Sequence, residues 1–256
     1  MTELQKAMDY AAKRTQAERN VKSHIDDILS EAAVDIARQA RGISVVSSEA
    51  MFRQMLGIRT ESIVDEAERK INAYIREYSK ASIAALGDKD TGATGRLLNS
   101  ELFGKTFQER SHTYMRYFLD DVVRMIVAGR KLKMRQAEIE NTVRGQYQDP
   151  YTNGAIGQVN RKGADIRVPA YGRGVYHSAY GNIVRNAQGT ISIAWGQEGR
   201  NHARRNGAVG FRVHRGSSYP CPLCDGEVDK GVRPITAPSA PFHSRCCCLI
   251  EYVYEN

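Results

Sequence analysis

The first 220 residues contain no cysteine. Disulfides therefore cannot brace that long segment, and packing has to hold it. No apolar run approaches the roughly 20 residues that a bilayer crossing needs, so no membrane role is expected. The opening MTELQKAMDYAAKRTQ is polar and helical where a secretory leader would be apolar. A soluble chain made in a reducing cytoplasm is the expectation. Catalytic signatures are missing too: there is no H-E-x-x-H, G-x-S-x-G, phosphate loop or paired-carboxylate pattern, and the zinc-deaminase signature lacks its H-x-E half. His112, His177, His202 and His214 are scattered, with no partner at metal or nucleophile spacing. They read as surface or capping residues, and no active site is expected.

What is present is an ordinary folded composition over 256 residues, 41% hydrophobic and 26% charged, enough for a real core in one or two domains. Residues 2–41 read as one long helix. Thr2 and Gln5 have capping-box spacing, Val21, Ile25, Ile28, Ala32 and Ile36 recur on one stripe, and Gly42 is a stop. A second long helix is expected from Ser48, or more securely Thr60, to Leu86, with Ile63, Ala67, Ile71, Ile75 and Tyr78 in line and Gly87 ending it. The two stripes can pair as an antiparallel hairpin or against another copy in a homo-oligomer. Residues 87–98 read as a loop. A third helix is expected over Gln108–Gly129, carrying Tyr114, Tyr117, Phe118, Val122, Met125 and Ile126. A fourth, Gln136–Tyr147, carries Ile139, Val143 and Tyr147. Asp149-Pro150 must end it, and residues 148–173 look irregular, a linker or arm.

All five cysteines lie in the last 38 residues, as Cys221-x2-Cys224, eighteen intervening residues, then His243-x2-Cys246-x-Cys248. Thiolate and imidazole suit tetrahedral zinc, and two short-spaced pairs across a loop are the usual enclosure. Cys221, Cys224, His243 and one of Cys246 or Cys248 are therefore the expected ligands of a closed, structural Zn2+ site. Leu249–Tyr254 has the composition of a strand, which turns Cys247 away as a spare thiol. A redox-sensitive cluster is the competing reading. Disulfides fit an odd cysteine count poorly. Of the nearby carboxylates, Asp225, Glu227 and Glu251, none has a catalytic spacing.

The charge is uneven. From Arg161 onward there are thirteen Lys or Arg against seven Asp or Glu, +6 of the total +8. Such a field attracts polyanions without reading sequence, and Arg200, Arg204, Arg205, Arg212 and Arg215 are the candidate contacts to nucleic acid or an acidic partner. The alternative is arginines that solvate a helix face.

The ending H-S-R-C-C-C with its β-rich tail, preceded by C-P-L-C-D-G and a loop closing on P-F-H, resembles the C-terminal signature of the phage Mu F-like minor head proteins of the head-morphogenesis family. The usual H-P-x-C-R-C is matched at His243, Cys246 and Cys248 and departs at Ser244 and Cys247. The likeness extends over about residues 100–256. It includes two helical segments, one from Gly174 to Arg185 and one through Trp195 and Arg200 to Asn206, and a strand Val209–His214, as in members from Bacteroidetes phages. Their T-E-x-x-x-A-Y-like pattern is degenerate here as TISIAWGQEGR.

The resemblance implies a non-enzymatic structural protein of the virion, made in the host cytoplasm and placed near the portal. Its partners would be the portal protein and other head proteins, with packaged DNA reached through the basic surface. Its role would lie in head morphogenesis or in DNA packaging and ejection. The expected fold is α+β and predominantly helical. It comprises a helical domain (1–147), the linker (148–173) and a Mu F-like module (174–256), a helix pair with a small β element stapled by zinc. A zinc-ribbon nucleic-acid-binding protein is the runner-up, and a phage-delivered zinc nuclease or toxin-like effector comes after it.

Overall fold

The computed structural model describes residues 1–41, 43, 49–102, 104–152, 154–164, 166, 176–243 and 245–255. Among them the chain forms α1 (Glu3–Ala40), α2 (Glu49–Ala85), α3 (Ala93–Asn99), α4 (Phe107–Lys131), α5 (Gln136–Gln146), α6 (Ala155–Arg161), α7 (Ala179–Arg205), β1 (Ala208–His214), α8 (Pro222–Val228), β2 (Val232–Pro234) and β3 (Leu249–Tyr254). The class is α+β and mostly helical.

Local chemistry sets the helix ends. Thr2 and Gln5 close the expected capping box, the Gln5 amide donating to Thr2 Oγ1 at 3.2 Å and the Thr2 amide to Gln5 Oε1 at 2.8 Å. Gly87, at φ 69°, stops α2 as expected, and the bonds Gly87 N–H to Ala84 O and Asp88 N–H to Ile83 O complete a Schellman motif. Gly42 and Ser48, the other expected boundaries, lie outside the described residues.

The buried stripes run one residue off the expected lines in places. Leu29 rather than Ile28 is buried on α1, Val64 rather than Ile63 on α2, and Met115 rather than Tyr114 on α4, where Tyr117 is exposed. Aromatic tips that reach water explain the α4 case, since a tyrosine carries its own polar end. Ile139, Val143 and Tyr147 are all buried on α5 as read.

Three segments are more helical than expected. Residues 87–98 contain α3, begun where Asp90 accepts the Gly92 amide at 2.7 Å and held by buried Thr94 and Leu98, one turn apart. Residues 148–173 contain α6. There Gly154 and Gly157 sit so close to the carbonyls of Pro150, Tyr151 and Thr152 that no side chain would fit. The two helical segments expected at 174–185 and around 195–206 form one helix from Ala179 on, the 27-residue α7. Several of its glycines are packing surfaces. A Cβ at Gly181 would press on Tyr176, one at Gly196 on the Ala240 carbonyl oxygen, and one at Gly199 on Tyr10 and Tyr252.

The chain divides into two compact units, one of Met1–Lys22, Tyr74–Phe107 and Ala187–Asn256, the other of Ser23–Ala73 and Gln108–Asn186. In the second unit, Phe118, Tyr147 and Tyr180 stack edge to face, with ring centroids 6.4 and 5.7 Å apart. The buried Asp121 accepts the Ala179 amide at 2.8 Å and the Tyr151 hydroxyl, so a carboxylate faces the start of α7.

The first unit is centred on Trp195, which is fully enclosed. Its indole N–H donates to Tyr78 O at 2.8 Å, and Tyr10 donates to Trp195 O at 2.8 Å with the rings 4.9 Å apart. Burial pushes the Tyr10 phenol well above its usual range, so it stays a donor. The antiparallel sheet, ordered β2-β1-β3, places Phe211 and Val213 on one face, over a small core that includes Cys224, Ala240, Cys246 and Cys248.

A polar network lies at the last turns of α7. Asp88 accepts from His202 Nδ1 at 2.9 Å and Arg205 at 2.5 Å, and buried Glu198 accepts from Thr94 at 3.1 Å and Arg205 at 3.3 Å. Burial raises the Asp88 carboxyl, but the His202 and Arg205 bonds outweigh it and hold the group below its ordinary range. A depressed carboxylate stabilises the fold above its unfolded pKa and loses that contribution as pH falls through the folded one. Asp88→Asn is therefore expected to cost about 1 kcal/mol at pH 7, with the gap to wild type closing as pH drops below about 4. Urea titrations across that range measure it, and a gap independent of pH would contradict the network.

Candidate metal centre

Short-range geometry presents each donor. Cys221 precedes α8, Pro222 occupies its first position, where φ is already fixed and no N–H is needed, and the Asp225 amide returns to Cys221 O at 2.9 Å. That turn brings Cys224 under Cys221, facing the sheet. On the other side, Arg245 adopts φ 64° and the Cys246 amide bonds His243 O at 3.1 Å, so the chain doubles back. Extended backbone follows, and its alternation buries Cys246 and Cys248 and exposes Cys247, as expected.

The five donors come together. Cys221 Sγ lies 3.2 Å and Cys224 Sγ 3.1 Å from His243 Nε2, and Cys224 Sγ is 3.9 Å from Cys246 Sγ. The ligand atoms of Cys221, Cys224 and His243 lie within 4.8 Å of one another, as do those of Cys224, Cys246 and Cys248. The edges of a tetrahedron with metal–sulfur bonds of about 2.3 Å and metal–nitrogen bonds of about 2.0 Å are roughly 3.5–3.8 Å, so each group of three has spacings of the order that coordination needs. Cys224 belongs to both groups. The cluster can hold a metal, and its sulfur-rich donor set is of the soft kind.

The electrostatics favour a cation. Burial pushes the Cys224 thiol up to about 12, whereas the hydrogen bond from Cys248 draws Cys246 down to about 5. Several of these sulfurs could be thiolates at once only beside a cation, since like charges so close together repel.

The neighbouring carboxylates are engaged elsewhere. Asp225 pairs with Arg215, Glu227 with Lys230 and Arg233, and Glu251 with His214 at 2.7 Å and Arg212 at 3.5 Å. Arg212 alternates with Phe211 and Val213, so its Glu251 partner lies on the sheet face away from the cysteines.

The candidate basic residues are largely occupied within the first unit. Arg200 donates to Ser239 Oγ at 2.6 Å, Arg205 to Asp88 and Glu198, Arg212 to Glu251, and Arg215 to Asp225 and the Tyr219 carbonyl. Among the described residues, Arg204 is the one of the five with no such acceptor.

Sequence reasoning missed how the cysteine loop is seated. Arg200 and Gly196 receive the 239–240 segment on α7. Gly216 lies so tightly against the Cys247 carbonyl that a Cβ would overlap it. The R-G-S-S run after β1 marked a turn at most; nothing in it announced a backbone contact 31 residues away.

No family model matches the chain, and no curated protein and no solved structure matches it either.

Gly216→Ala is expected to destabilise the C-terminal module by about 1–3 kcal/mol, as overpacking against fixed backbone does. Cys247→Ser, on the exposed side, should stay within about 0.5 kcal/mol of wild type. Chemical denaturation compares the two, and indistinguishable curves would show that the loop does not close on Gly216.

Proposed function

We propose that the cluster binds one structural Zn2+ through Cys221, Cys224, His243 and a sulfur of Cys246 or Cys248. On this reading the chain is an assembly protein of a tailed phage, a Mu F-like minor head component acting at the portal. The observation that carries it is the convergence of C-x2-C and H-x2-C-x-C on neighbouring donor groups that share Cys224, while Asp225, Glu227 and Glu251 are tied to bases. A sulfur-rich site whose neighbours Asp225, Glu227 and Glu251 are engaged in ion pairs suits a staple rather than hydrolysis. The small sheet explains the need, because strands of three to seven residues bury too little apolar surface to fold unaided.

The portal, other head proteins and packaged DNA are the partners this reading names, with the virion near the portal as the location. The family likeness in the last residues supports it. Among the described residues no helix is long and apolar enough to cross a membrane. Exposed Arg204 and Arg212 favour the nucleic-acid-binding alternative.

Protein purified without chelator should contain about one zinc per chain. Cys224→Ser should lose the metal and unfold the C-terminal module while most helical circular dichroism persists, as metal-coupled folding requires. Metal-free wild-type protein, or an unchanged melting profile for the variant, would remove the staple. Co-expression with the portal protein of the same genome should give a complex that survives high salt. Recovery of nucleic acid alone, lost with rising salt, would favour the zinc-ribbon alternative.

A further inference from the structure

Cys221 and Cys224 differ sharply in access. Cys221 is half-buried, while Cys224 is 3% exposed in the small core. Their sulfurs lie within 4.8 Å of each other, two residues intervene, and His243 Nε2 touches both at 3.2 and 3.1 Å. One sulfur that solvent reaches, with a shielded one behind it, is the arrangement that lets a first thiolate react and a second resolve it. The remaining cluster sulfurs, Cys246 and Cys248, are shielded as well, and Cys247 lies on the exposed side and belongs to neither donor group.

We infer that the metal centre is a redox switch in which a hydroperoxide converts Cys221 and Cys224 to a disulfide and so releases the metal. The inference rests on the proposed zinc reading. The Cys221 thiolate attacks the terminal oxygen of hydrogen peroxide, the O–O bond breaks, and hydroxide leaves and takes a proton as water. The resulting sulfenic acid is attacked by the Cys224 thiolate, the S–O bond breaks, and a second hydroxide leaves as water with another proton. The two sulfurs give up two electrons in all, and peroxide accepts them. A disulfide sulfur is a poor ligand, so two of the four donors are lost at once and the remaining His and Cys cannot hold the ion in competition with a chelator. Closing the bond needs the sulfurs to approach to about 2.05 Å. The 229–248 side of the pocket need not move for this, because both partners belong to α8 and its leading residue.

The test uses the full chain as purified, with zinc measured first. Added hydrogen peroxide should release about one equivalent of zinc to a chromogenic chelator. Peptide mapping after alkylation should find a Cys221–Cys224 disulfide, and thiol reductant plus zinc should restore the loaded state. Cys247→Ser should respond as wild type does. Zinc retained under peroxide, or zinc lost with a disulfide to Cys246 or Cys248 or with oxidation confined to Cys247, would overturn the switch while leaving the zinc reading standing. A chain that carries no zinc before peroxide removes the zinc reading and the switch with it.

Discussion

In the C-terminal module, two turns some twenty residues apart bring five possible metal ligands close together. Phe211, Val213, Ile250 and Tyr252 give it an apolar floor, but three short strands expose too much edge and too little face to order the 215–248 segment. The cysteines fill the rest of that floor. They pack as small hydrophobes in the core and stand ready as ligands, so the same atoms serve packing and coordination. Placing the donors is the task of ordinary backbone devices: Pro222 at the first position of α8, the left-handed Arg245, and Gly216 under the Cys247 carbonyl.

The module is fixed to the helical part of its own unit by missing side chains. At Gly196 the helix surface is bare, and the carbonyl of Ala240 sits where a Cβ would be. At Gly199 the Tyr10 ring and the Tyr252 hydroxyl would crowd a Cβ, at 3.1 and 3.3 Å. Glycine inside a helix costs about 1 kcal/mol relative to alanine. Its presence on α7 is understood once the close approach is counted, and Arg200 reinforces it by reaching Ser239 from the next turn.

Much of this was legible beforehand. Period and caps marked α1, α2, α4 and α5 because each has a long apolar stripe and a stop signal of known chemistry. Thr2 with Gln5 and Gly87 performed as their residue types require. The ligand candidates were legible for the same reason, since metal-binding spacing is a local property. What escaped were the places where glycine serves a neighbour and not the chain's own turn. In TISIAWGQEGR nothing local gives the glycines a packing role; only the opposing Ala240, Tyr10 and Tyr252 reveal it. Short helices α3 and α6 escaped because one or two turns carry too little periodicity to register. The destinations of Arg200, Arg205, Arg212 and Arg215 were also hidden, for an ion pair with a residue dozens of positions away leaves no trace in local composition.

The bond from Tyr10 to the carbonyl of Trp195 spans 185 positions. A ribosome must therefore polymerise most of the chain before the first helix can find the indole it packs on. Until then the N-terminal end of α1 waits with its apolar side uncovered, and such distant closures are slow. Truncations that end short of α7 would leave Tyr10 permanently without its seat.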